Sequence, residues 1–193
     1  EKNIDYNNIC NYGEYLNHKM AFTWNYLVSN NIVVDHEEEM IKFVEDGIID
    51  LLLHEVGHTL GLRHNFKASS VFTFDELSDL NFTSKYGVTG SVMDYNATNL
   101  LDGGKNYFQI TPGPYDYWAI EYGYSERPFT SDMTEEKWLA TITSKSTEPW
   151  LAYGTDEDAY GTSIDPLTSR RDMTSEPIRF YENQIKIANK YWD

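Results

Sequence analysis

The chain has 193 residues, 40% of them hydrophobic and 15% aromatic, enough for one ordinary domain with its own buried core. Its 31 acidic residues against 15 basic ones leave a net charge of −16, which disfavours nucleic acid and anionic membrane surfaces as partners. Apolar runs such as Ile48–Leu53 fall far short of the roughly 18 residues needed to cross a bilayer, so no membrane-spanning segment is expected.

Cys10, the single cysteine, excludes an internal disulfide framework and any cysteine-based zinc knuckle, and it reads as a lone buried thiol. In chain order, Leu16, Met20, Phe22, Tyr26 and Leu27 give a loose helical pattern over 14–27 that stops near Ser29-Asn30-Asn31, and Ile32–Val34 reads as a short strand. Asp35 followed by Glu38 forms a capping box, and Met40, Ile41, Val44, Ile48, Leu51, Leu52 and Leu60 recur at helical spacing up to Gly61. These predict a long helix over about 36–60. Thr73 with Glu76 caps a short helix through about Leu80, turns follow at Tyr86-Gly87 and Thr89-Gly90, and Pro112 and Pro114 open a helix over about 112–123 that Gly123 ends. Further helices are expected at about 134–144 and 176–191, with an acidic loop over 155–165 between them.

Three of the five histidines fall within eleven residues, His54-Glu55-Val56-Gly57-His58-Thr59-Leu60-Gly61-Leu62-Arg63-His64. On a helix His54 and His58 lie one turn apart on one face, so both imidazoles can reach a single metal ion at roughly 2.0 to 2.1 Å. Glu55 points to the side, where its carboxylate can meet a metal-bound water without taking a coordination position, as a general base does. His64 would lie on the wrong side of a continuing helix, and Gly61 supplies the left-handed residue that turns the chain back. Three neutral imidazoles leave a fourth position for water, the arrangement of catalytic zinc.

These eleven residues spell H-E-x-x-H-x-x-G-x-x-H, and on them the chain resembles the metzincin clan of zinc metallopeptidases. Ser91-Val92-Met93-Asp94-Tyr95 resembles the clan's Met-turn, in which Met93 would lie beneath the imidazoles as an apolar floor. The resemblance gives Tyr95 the role of approaching the zinc and hydrogen-bonding the reaction intermediate, while the residue alone reads equally as a tyrosine packed in the turn. In Gly113–Gly123, similar to the helix that follows the Met-turn, Asp116 would hydrogen-bond the turn from below; alone it reads as an acid at a helix start.

Over about 35–190 the chain is most similar to the bacterial Met-zincin family of extracellular zinc-dependent metallopeptidases, through L-L-H-E-V-G-H-T-L-G-L-R-H-N-F-K-A-S and G-P-Y-D-Y-W-A-I-E-Y-G-Y. The resemblance implies a catalytic part of a larger exported protein, acting extracellularly, in the periplasm or at the cell surface, with upstream domains in the parent chain. It implies an α+β metzincin-like catalytic core over 1–124, predominantly helical in this chain, and a helical extension over 125–193 packed on it. Metzincins usually place a sheet before the active-site helix, its edge strand pairing with the substrate. Too little chain precedes the helix here, so that sheet is expected to be incomplete.

The function expected is a zinc-dependent endopeptidase acting on peptides or proteins, with His54, His58 and His64 as metal ligands and Glu55 as base. An inactive metal-bearing module that binds peptides or glycans, and a zinc hydrolase of non-peptide amides or esters, are the alternatives. Asp156, Glu157, Asp158 and Asp165 offer oxygen donors of the kind Ca²⁺ takes, but at a spacing that matches no calcium loop, so a solvated acidic loop is the simpler reading.

Overall fold

The computed structural model describes residues 10–192 apart from 35, 102–104, 129–132 and 161–164, so the expected Asp35 cap lies outside the described residues. Helix α1 spans Tyr12–Ser29 and packs against the long helix α2, His36–Thr59. Short helices α3 (Phe74–Ser78) and α4 (Leu80–Tyr86) follow, then α5 (Pro114–Tyr124), α6 (Glu135–Thr143), α7 (Asp156–Ala159) and α8 (Pro177–Trp192). The structure is predominantly helical, and no strand occurs among the described residues. Ile32–Val34, expected as a short strand, is an irregular link: Val33 is buried in the core, but no second strand offers its backbone a partner.

Local chemistry explains several differences from the sequence patterns. The helix expected from Thr73 through about Leu80 is α3, which Thr73 and Glu76 start with a capping box and which ends at Ser78, and the Asp79 side chain accepts the Asn81 amide at 2.8 Å to start a further helix, α4, at once. Gly123 does not end α5, which runs one residue further before Ser125 caps it. The acidic loop begins as helix α7, where Asp158 accepts the Thr155 amide at 2.9 Å.

The most apolar face of α2 is not its buried one. Phe43, Gly47, Asp50, His54 and Gly57 point inward, whereas Ile41, Ile48, Leu52 and Val56 are half exposed or more and form a stripe along the helix. One core cluster joins Leu16 and Leu27 of α1, Phe43 of α2, Phe108 before α5, and Ile187 of α8. A second joins Phe72, Leu77, Val88 and Leu101 to Met173 and Phe180, so the C-terminal part shares a core with the middle of the chain.

Polar groups are also buried. Tyr12 donates to Asp50 Oδ1 at 2.9 Å, and Lys19 donates to the Asn96 carbonyl at 2.9 Å with its Nζ 3.8 Å from Asp50. Ser69 holds a pair of acids, its amide donating to Asp94 at 2.6 Å and its hydroxyl to Asp172 at 3.0 Å. Burial, with the neighbouring Asp172 next, pushes Asp94 well above the usual carboxylate range, and burial pushes Asp172 up to about 6. An acid whose folded pKa is raised keeps its proton in the native state while the unfolded chain gives it up near about 4. For Asp172, stability therefore falls as pH climbs from about 4 to 6 and is lowest above that. Asp172→Asn, which preserves the acceptor for Ser69, should stabilise the fold by on the order of 2 kcal/mol at neutral pH and hardly at all near pH 4. Thermal melts at the two pH values check this.

Candidate metal centre

Helix α2 carries His54 and His58 to its C-terminal end, and the helix then stops in a Schellman arrangement. The Leu62 amide donates to the Gly57 carbonyl and the Gly61 amide to the His58 carbonyl, both at 3.0 Å, with Gly61 at φ +84°. The left-handed glycine sends the chain back, and His64 lies against both helical histidines, its ring centroid 5.4 Å from His54 and 4.8 Å from His58.

Each imidazole is held by its Nδ1. His54 Nδ1 lies 2.8 Å from the Val92 carbonyl, His58 Nδ1 3.0 Å from the Leu62 carbonyl, and His64 Nδ1 3.0 and 3.1 Å from the two oxygens of Asp156. A carbonyl or carboxylate only accepts, so each Nδ1 carries the proton and each Nε2 keeps its lone pair. Burial pulls His54 down to about 3 and lowers His64 against the opposing pull of Asp156, so both are neutral at pH 7. Nε2 of His58 and of His64 are buried without a hydrogen-bond partner.

Two converging, orphaned lone pairs are what a metal would satisfy. Cys10, His54, His58 and His64 each offer a ligand atom, and the four lie within 4.8 Å of one another. The donor set fits zinc, which takes imidazole nitrogen and thiolate sulfur.

Glu55, next to the first histidine, is exposed, with its Oε1 3.6 Å from Cys10 Sγ. Tyr95 is buried, with its ring 4.9 Å from His64 and 5.4 Å from His54. Its hydroxyl donates to Cys10 Sγ at 3.2 Å and accepts the Asn11 amide at 3.2 Å.

Met93 is fully buried against α2. A Cβ on Gly57 would stand 2.2 Å from its sulfur, so only glycine lets the turn approach this closely. Asp116 holds the turn from the other side: its carboxylate accepts the Ser91 hydroxyl at 2.5 Å, the Val92 amide at 2.8 Å and the Gly113 amide at 2.7 Å. The Ser91 hydroxyl in turn accepts the Met93 amide at 3.1 Å.

Three residues at the site had no signal in the sequence. Cys10 is not a lone thiol in a core but lies 3.5 Å from His54 Nε2 and 3.6 Å from Glu55 Oε1, and burial raises its pKa. Asp156, weighed only as part of an acidic loop, orients His64. Tyr12 stacks between His54, at 4.5 Å, and Tyr95, at 4.9 Å. The other acids of the loop have partners of their own: Glu157 pairs with Arg63 at 2.7 Å, Asp158 caps α7 and Asp165 pairs with Lys67.

Among family models, the one described as Met-zincin matches residues 36–193, most of the chain and all three histidines. The chain therefore belongs to the Met-zincin family, a metzincin-type metalloprotease family. No curated protein and no solved structure matches it.

Gly57→Ala should force Met93 off its place and destabilise the fold by about 1–3 kcal/mol, read from denaturant unfolding. Asp156→Ala, at a partly exposed position, should leave the fold intact and weaken zinc binding by about 10- to 100-fold in competition with a chelating indicator.

Proposed function

We propose that the chain is a zinc-dependent endopeptidase in which Nε2 of His54, His58 and His64 hold the metal and Glu55 is the general base. The observation that carries this reading is the convergence of three imidazoles whose Nδ1 atoms are all occupied, with Nε2 of His58 and of His64 buried and unpartnered. When bound, zinc supplies the Lewis acidity that polarises a scissile carbonyl and activates water. The Glu55 carboxylate, exposed beside the cluster, takes the proton from that water and later gives it to the leaving amine. The Tyr95 hydroxyl, once free of Cys10, is close enough to the histidines to donate to the oxygen that gains charge. Met93, Gly61 and Asp116 act by placing these groups. Because the backbone path and hydrogen bonds at the turn are local, their loss would be felt first as a misplaced His54.

The substrate is a peptide or protein in this reading, and its site of action lies outside the cytoplasm, as the resemblance to exported metallopeptidases suggests. The uncovered apolar stripe of α2 supports a parent chain whose upstream part contributes to substrate binding. A second reading, a metal-bearing binding module without turnover, draws on Cys10 beside the cluster, which offers a fourth donor.

Glu55→Ala should keep its zinc and lose hydrolysis by about 10²- to 10⁴-fold, while His58→Ala should lose both. Mass spectrometry of a mixed peptide library, with zinc content measured alongside, decides. Cleavage unchanged in Glu55→Ala rules out the assigned base, and zinc-loaded protein that cuts nothing under any condition favours the binding module.

A further inference from the structure

We propose that the cavity between α1, the chain over 97–100 and α8 binds a small carboxylate with an apolar body, and that Arg171 is its charge contact. The cavity has a volume of about 230 Å³. Tyr15 and Phe22 of α1, Leu100, and Phe180 and Tyr181 of α8 give it aromatic and aliphatic walls. None of the three clustered histidines lines it, so a ligand there has no need of the metal.

The polar groups at these walls are donors in want of an acceptor. The Arg171 guanidinium lies over the Tyr15 ring, 4.7 Å from its centre, and meets no carboxylate among the described residues. Arg63 and Arg179, by contrast, each hold an acid, at 2.7 and 2.6 Å. Lys19, the other cation of the wall, is already matched by Asp50 at 3.8 Å and the Asn96 carbonyl at 2.9 Å. Thr98 Oγ1 and Gln184 Nε2, on residues of the same wall, are buried without a hydrogen-bond partner among the described residues. An amide nitrogen only donates, and an incoming acceptor removes the cost of leaving it unpaired. The Gln184 side chain is only partly buried and can turn its amide toward the cavity. A carboxylate brings two oxygens with room for about four donors, which suits a guanidinium fork, an amide and a hydroxyl. A bare phosphate would use the donors and leave the aromatic walls uncovered; a wholly apolar ligand would leave the donors unpaired.

The backbone holds Arg171 here against its own preference. Arg171 at φ +69° and Thr174 at φ +70° are left-handed, a conformation that strains residues with a Cβ and that marks binding sites more often than plain turns. Three bonds pin the segment: the Arg171 amide donates to the Tyr95 carbonyl at 2.8 Å, the Ala97 amide to the Asp172 carbonyl at 3.2 Å and the Ser175 amide to the Phe72 carbonyl at 2.8 Å. On the opposite wall the Asn183 side chain donates to the Leu100 carbonyl at 3.2 Å and ties α8 to the chain over 97–100.

Size narrows the ligand further. A cavity of about 150 Å³ takes benzene, so this one has room for a ring with a short carboxylate arm and none for a folded partner. Such a group occurs as a free acid and as the C-terminal residue of a peptide, and both present the same ring and the same charge.

Titration calorimetry of the full chain with 3-phenylpropionate tests the site. A dissociation constant of about 1 mM or tighter is expected, the same in the zinc-loaded chain and after chelation. The neutral amide of this acid should bind at least tenfold more weakly. Arg171→Gln should weaken binding of the acid by about tenfold or more. Arg171→Gly, which suits the left-handed backbone, should do the same with a melting temperature close to the parent's, so that lost binding is not lost folding. After chelation, so that nothing is cut, Ala-Ala-Ala-Phe with a free or an amidated C-terminus separates the two sources. Binding of the free form at least as tight as that of 3-phenylpropionate identifies a peptide end, and its exclusion identifies a free acid; both support the site. No binding of 3-phenylpropionate, equal binding of acid and amide, or binding untouched by either Arg171 variant overturns the proposal. Binding that disappears on chelation overturns it too, by placing the carboxylate on the metal.

Discussion

The sulfur of Met93 occupies the space that a side chain on residue 57 would fill, and the rest of the centre follows from that contact. With the turn this close to α2, the Val92 carbonyl reaches His54 Nδ1 and the Met93 carbonyl accepts the Asn65 amide just after the third histidine. The turn is thus a floor for the imidazoles, a device that sets one tautomer, and an anchor for the chain that leaves His64. Asp116 keeps it from sagging with three accepted hydrogen bonds, which counter but do not outweigh the burial that raises its pKa.

The centre is polar to an unusual depth for a chain whose surface is so acidic. Asp50, one turn before His54 on the same buried face of α2, is met by Tyr12, Lys19 and the Gln109 amide, and Tyr12 then lies against His54. The helix is therefore located by hydrogen bonds along one face, while much of its aliphatic surface remains in solvent. A hydrophobic helix would slide among near-equivalent packings; a helix pinned by Asp50 has one register, and the register decides where His54 and His58 stand.

This division explains what could be read from the sequence. His54, Glu55, His58, Gly61 and His64 form a local pattern, because helical geometry and one left-handed glycine suffice to bring them together. Ends such as Thr73–Glu76 were legible for the same reason. Cys10 and Asp156 were not: they lie 44 residues before His54 and 92 after His64, and no periodicity links such distances. The outward side of α2 misled differently, since apolar spacing marks a face without saying whether anything covers it. The link at Ile32–Val34 has strand-like residues, but a strand exists only with a partner, which a short segment does not announce.

The tail after α6 returns to the third histidine through several bonds. Asn65 donates to the Ala152 carbonyl, the Phe66 amide to the Gly154 carbonyl, Arg63 pairs with Glu157, and Asp156 takes the His64 proton donor. A ligand that needs His64 in place is then thermodynamically linked to docking of this tail, and the linkage runs in both directions. An ion at a concentration 100 times its dissociation constant would hold the tail down by about 2.7 kcal/mol. Conversely, a protease nick or a partner that lifted residues 152–157 away would loosen an ion held by His64, so that the tail would be a handle on any metal bound there.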